Sequence, residues 1–254
     1  MMNAGETFDL VLWSWLGLAV ITSIVLLFVK APYGRHARPG WGPNVNSRLG
    51  WVIMESPSPI IMGALFVTGG HFSDPARWCF VGLWLLHYVN RSWIYPFKAR
   101  LDGKTMPLSI ALMGFTFNGV NASLVGAYLF THPVTYGPVW LTEPCFIIGL
   151  LIFATGMAIN LQSDRILHRL RGPDETGYKI PYGGAYRWVS CPNYLGEIME
   201  WTGFAILTWS MPAVAFAVWT IANLAPRARD HHGWYQEKFT DYPPERKAII
   251  PGLF

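Results

Sequence analysis

The window 10–30, LVLWSWLGLAVITSIVLLFVK, carries one charge, Lys30, at its last position. A helix rises 1.5 Å per residue, so about twenty residues of this kind cross the roughly 30 Å of hydrocarbon in a bilayer. Further apolar windows of spanning length lie near 51–70, 77–97, 107–130 and 144–163, and another apolar region covers roughly 195–225. The last is interrupted by WSMP at 209–212, too short a break for anything but a tight turn between two helices. The pattern therefore predicts an all-α integral membrane protein with seven transmembrane helices, the last two forming a hairpin.

Composition agrees with lipid as the solvent. Only 13% of the 254 residues are charged and 52% are hydrophobic, whereas a soluble domain carries about 25% charged residues. Thirteen Trp and eleven Tyr suit the two interfacial belts of such a protein. The N-terminal MMNAGETFD bears Glu6 and Asp9 in place of the basic region of a secretory signal, so the first window reads as a retained span. Cys79, Cys145 and Cys191 have no metal-binding or redox spacing and read as small buried hydrophobes.

Orientation follows from the connections. Lys30, Arg35, Arg38 and Arg48 fall between the first two windows, Lys98, Arg100 and Lys104 after the third, and Arg165, Arg169, Arg171, Lys179 and Arg187 after the fifth. The tail beyond 226 is basic as well, while the intervening connections carry Arg77 alone. Basic and non-basic connections alternate, which by the positive-inside rule puts the N-terminus outside and the C-terminus in the cytosol. Neither a repeat nor a second domain is visible, so residues 1–254 read as one unit.

Polar residues recur where the membrane should exclude them. Asn160, Asp164, His168 and Arg171 share one helical face; Asn193 and Glu197, with Glu200 or Trp201, share another; Arg227, His231 and Tyr235 share a third. All three stripes fall at the basic side. Each has a plain structural alternative: a solvated helix end for Asp164 and Arg171, an ion pair of Glu197 with Arg227, a basic juxtamembrane segment for RARDHHGW. Their coincidence suits a large anionic ligand, with amides and acids for hydroxyl groups and basic groups for phosphates. A nucleotide cofactor fits that set.

Two groups lie deeper. Glu55 sits seven residues beyond Arg48 and Tyr88 ten before Lys98, which puts them about 10 Å and 15 Å in from the same edge, within one leaflet. A carboxyl group in apolar surroundings is costly to ionise and can act as a hydrogen-bond donor, as tyrosine does. Two neutral donors aimed at one point meet the need of an oxygen that develops negative charge. His87 and Arg91 flank Tyr88 as supporting or packing groups. No GxGxxG, Walker A or HExxH motif is present, so neither a Rossmann domain nor a metalloprotease is indicated.

These residues stand in recognisable motifs: GMAINLQSDRILHRLR, YKIPYGGAYRWVSCPNYLGEIMEW and KFTDYPPERKAIIP in the last third, with PYGRH at 32–36, MESPS at 54–58 and HYVNRSWIYP at 87–96. Over nearly the whole chain the sequence resembles the steroid 5α-reductases, seven-helix membrane enzymes that reduce 3-oxo-Δ4-steroids with NADPH. The resemblance implies that Glu55 and Tyr88 hold the steroid 3-oxo group. It implies that Tyr33, Asn160, Asp164, Arg171, Tyr178, Asn193, Glu197, Arg227, His231 and Tyr235 hold NADPH. Met54, Arg91 and Trp201 complete the expected substrate pocket; Met54 stands where family members often carry Gln. Hydride would add at C5 and a proton at C4. The expected partners are the steroid and the lipid bilayer, with no metal, nucleic acid or obligate protein partner, in a bacterial inner membrane or the endoplasmic reticulum. Two other readings compete. A membrane methyltransferase of the isoprenylcysteine carboxyl type, using S-adenosylmethionine, shares an NYxGE-like core, but such relatives show Arg-His-Pro before it where this chain has Ser190-Cys191-Pro192. A lipid carrier would leave the polar stripes unexplained.

Overall fold

The computed structural model describes residues 3–30, 36, 38–133, 136–170, 172, 175 and 177–254; Tyr33 and Arg171 lie outside them. The described chain is helical, with one small ribbon. Helix α1 (Ala4–Phe28) opens with a capping box between Asn3 and Glu6. The second window is split into α2 (Ser47–Glu55) and α3 (Pro57–Gly69). The break falls at Ser56–Pro57, because proline cannot donate to the preceding turn. Helix α3 stops at Gly70 in the left-handed conformation, φ 69°.

The third window is α4 (Pro75–Val89), a π-helical turn (Asn90–Ile94) and α5 (Tyr95–Lys98). Then come α6 (Leu108–Thr131), α7 (Pro144–Arg169), α8 (Pro192–Thr208) and α9 (Met211–Lys238). The turn expected at 209–212 is present: Trp209 takes φ 48°, the one positive φ at a non-glycine among the described residues. Four stretches are long and apolar enough to cross a membrane, namely Ala4–Phe28, Ser47–Gly69, Leu108–Thr131 and Pro144–Arg169. Of the others, α8 has only 17 residues and α9 becomes polar in its second half.

One small ribbon accompanies the helices of this all-α fold. Strands β1 (Asn44–Asn46) and β2 (Thr105–Pro107) pair antiparallel and tie together two of the basic connections. At the same end the C-terminal tail lies along residues 188–191: Ser190 N donates to Lys247 O at 2.8 Å and Cys191 N to Ala248 O at 3.1 Å.

Packing is closest between α7 and α8. A Cβ added to Gly196 would fall 2.5 Å from Gly156 O, and one added to Gly203 2.6 Å from Gly149 O. Two glycines seven residues apart on each helix therefore let the backbones touch, as small residues do between helices in lipid. The largest core cluster gathers Trp84, Tyr88, Phe153, Trp201, Phe204 and Phe216 from α4, α7, α8 and α9. Helix α1 is attached at the rim by α9, Trp219 Nε1 donating to Trp15 O at 3.0 Å.

Candidate active site

The break after Glu55 turns the end of α2 toward α6. There Asn118 Nδ2 donates to Met54 O at 2.8 Å and to Glu55 Oε2 at 3.1 Å, and the Tyr88 hydroxyl donates to Asn118 Oδ1 at 3.1 Å. Glu55 and Tyr88 are thus brought together, as expected, through a residue the sequence reading passed over. The Met54 side chain lies against Gly114 of α6.

Aromatic groups close the far side. The Trp201 ring is 5.5 Å from Tyr88 and 5.1 Å from Trp84, and Trp84 Nε1 donates to Ser58 Oγ at 3.1 Å. Behind Tyr88, His87 Nδ1 meets Glu200 Oε2 at 2.7 Å, with both side chains buried. That settles Glu200 as a partner of His87. Its Oε1 has no hydrogen-bond partner.

Toward the basic end, Arg91 sits in the π-helical turn, a distortion often found at functional sites. Its guanidinium lies over the Trp51 and Tyr95 rings at 4.8 and 4.7 Å and is 3.7 Å from Asp164 and 3.9 Å from Glu197. The partner of Glu197 found here is therefore Arg91, where the sequence suggested Arg227. Asn160 Nδ2 donates to Asn193 O at 2.9 Å. The first two stripes meet, with Arg91 standing between them and the Glu55 group.

The third stripe forms the outer wall. Arg227 lies over the Tyr194 ring at 5.5 Å, and His231 is edge-on to the same ring at 5.7 Å. Beyond the apolar part of α9, burial holds the Arg227 guanidinium down to about 10, with Asp230 acting in the opposite direction; it is still charged at neutral pH. Tyr235 stacks on Tyr242 at 5.3 Å, and Tyr178 is edge-on to Trp234 at 4.9 Å. A cavity of about 190 Å³ opens here, lined among others by Tyr95, Arg100, Lys104, His168, Tyr178, Lys179 and Tyr235. The His168 Nε2 beside it is buried without a partner. Of the wall residues, Tyr95, Arg100, Lys104 and Lys179 were not singled out as site candidates in the sequence.

No group of three or more His, Cys, Asp or Glu suited to a metal ion occurs among the described residues. Cations, hydroxyls and an imidazole whose Nε2 has no hydrogen-bond partner surround one cavity, with amides and carboxylates inward of it, and fit the phosphate and sugar groups of a dinucleotide.

Residues 104–254 match the sequence profile of the 3-oxo-5-alpha-steroid 4-dehydrogenase family. A steroid 5-alpha-reductase of Gossypium hirsutum is 44% identical over 93% of this chain and 93% of its own length. A 3-oxo-5-alpha-steroid 4-dehydrogenase 1 of Bos taurus is 41% identical over 93% of both chains. Its Homo sapiens counterpart is 44% identical over 87% of this chain and 86% of its own. The methyltransferase and carrier readings gain no support from these matches.

Proposed function

Because the chain belongs to the 3-oxo-5-alpha-steroid 4-dehydrogenase family and is an oxidoreductase acting on CH–CH bonds, we propose that it reduces the 4,5 double bond of 3-oxo-Δ4-steroids with NADPH. The observation that carries this reading is the hydrogen-bonded Glu55–Asn118–Tyr88 group, set between an aromatic wall and a polar funnel.

Saturation of the enone adds a hydride at C5 and a proton at C4; NADPH, when bound, supplies the hydride, and the proton comes ultimately from water. The chain's own residues do the rest. Glu55 and Tyr88 donate to the 3-oxo oxygen, which gains negative charge as C5 is reduced, so they bind the transition state more tightly than the ground state. Trp84 and Trp201 exclude water and give the flat apolar rings a surface. Asn160, Asp164, Asn193 and Glu197 would hold hydroxyl and amide groups of the cofactor. Arg227, His231, Tyr235 and Tyr178, with the cations of the adjoining cavity, would hold its phosphates. Tyr33 and Arg171 keep this role by resemblance.

In this reading the chain crosses the membrane seven times, N-terminus outside and C-terminus in the cytosol, whether in a bacterial inner membrane or the endoplasmic reticulum. The steroid reaches Glu55 from the lipid and the cofactor enters from the basic side. The test is mass spectrometry of products after incubating purified protein with NADPH and a panel of Δ4-3-ketosteroids. Wild type should yield the saturated ketone. Glu55→Gln and Tyr88→Phe should each lose at least about 10²-fold in kcat while binding NADPH normally, and Asn193→Ala should weaken cofactor binding. Wild-type rates in both of the first two variants would sink the assignment.

A further inference from the structure

Asn118 is 4% exposed and sits in the middle of α6, a position where a polar side chain in a membrane helix needs a reason. Its amide has two N–H donors and one carbonyl acceptor, and all three are engaged within one group: Met54 O, Glu55 Oε2 and the Tyr88 hydroxyl. Turning the amide over would set its oxygen against two acceptors, so the partners fix its orientation.

Two consequences follow from this wiring. Glu55 Oε2 is used as an acceptor, so a protonated Glu55 presents its O–H from Oε1. Tyr88 has a single hydroxyl proton, and Asn118 Oδ1 holds it at 3.1 Å. A carbonyl that is to be held by both Glu55 and Tyr88 must compete with Asn118 for that proton. All three polar positions of the Asn118 amide are taken up by Met54, Glu55 and Tyr88, so Asn118 acts through the other two and does not meet the substrate itself.

We propose that Asn118 is a positioning residue that joins Glu55 and Tyr88 into one unit, directs the Glu55 proton to Oε1, and holds the Tyr88 hydroxyl until the substrate carbonyl displaces it. This rests on the reading that Glu55 and Tyr88 bind a steroid 3-oxo group. Its signature is a loss in kcat, because misdirected donors fail mainly where charge develops, with cofactor binding untouched.

The experiment is a mutant cycle on the full-length protein in detergent, assayed with NADPH and a Δ4-3-ketosteroid. Asn118→Leu removes all three hydrogen bonds at similar volume. Asn118→Asp keeps the acceptor and the size but cannot make both donations, and it serves if the leucine variant does not fold. Each should lose about 10²-fold in kcat, the scale of a small misplacement of catalytic groups, with KM and NADPH affinity close to wild type. In the Tyr88→Phe background the same substitutions should cost less than about threefold more, because groups that act as a unit are strongly non-additive. Wild-type kcat in the Asn118 variants, or losses that simply multiply with that of Tyr88→Phe, would overturn the proposal while leaving the reductase reading standing. Wild-type rates in Glu55→Gln and Tyr88→Phe would overturn both.

Discussion

Glu200 has 0% exposure, and its 2.7 Å contact with His87 has the length of a charge-assisted hydrogen bond. Deleting one member of such a pair leaves the other buried without compensation, which costs about 3–5 kcal/mol. Glu200→Ala should therefore lower the thermal unfolding temperature in detergent sharply, while Glu200→Gln, which can still bond the imidazole, should lower it much less. Equal losses would mean that the negative charge of Glu200, and neither its volume nor a neutral hydrogen bond, is what the buried pair depends on. The site itself was legible in part. Glu55, Tyr88 and the stripes stood out because acids, amides and histidines are rare in apolar windows. Asn118 and Asn121 in TFNGVNAS break the same rule and carried the same signal. What spacing along single helices could not show was which stripes touch: that Glu197 meets Arg91, from α4's distorted end, depends on packing between helices far apart in sequence.

At the scale of elements, the α7–α8 contact sets the distance between the Asn160–Asp164 face and the Asn193–Glu197 face. Gly196→Ala would press a methyl onto the Gly156 carbonyl and push the helices apart. Overpacking of this kind costs about 1–3 kcal/mol, and because it spreads two walls of the funnel it should weaken NADPH binding as well as lower the melting temperature. Gly82→Ala, where nothing lies within 4 Å, is the control and should change neither. The helices were readable as apolar windows because length and missing charge are one-dimensional properties. The split at Pro57 could have been anticipated from proline chemistry. The π-helical turn and the β1–β2 ribbon could not, since each depends on neighbours supplied by distant segments.

For the molecule as a whole, the described residues proposed for the cofactor lie at the end that carries the basic connections, and the tail from 246 onward closes that end against residues 188–191. The proposed seven crossings would place the two termini on opposite sides. A reporter fused after Phe254 should be active only in the cytosol, and one fused before Met1 only on the other side; both on one side would mean an even number of crossings. The attachment of α1 has a consequence in time. Its partner Trp219 is 204 residues away, and ribosomes add about 5–20 residues per second. In the proposed topology α1 would therefore stand in the bilayer for roughly 10–40 s of each synthesis before α9 has been made, with α6, whose Asn121 Oδ1 accepts from Trp15 Nε1 at 3.0 Å, arriving about halfway through. Its apolar circumference, buried in the finished fold only at Leu12 and Ala19, would let lipid hold it for that interval without help from α9.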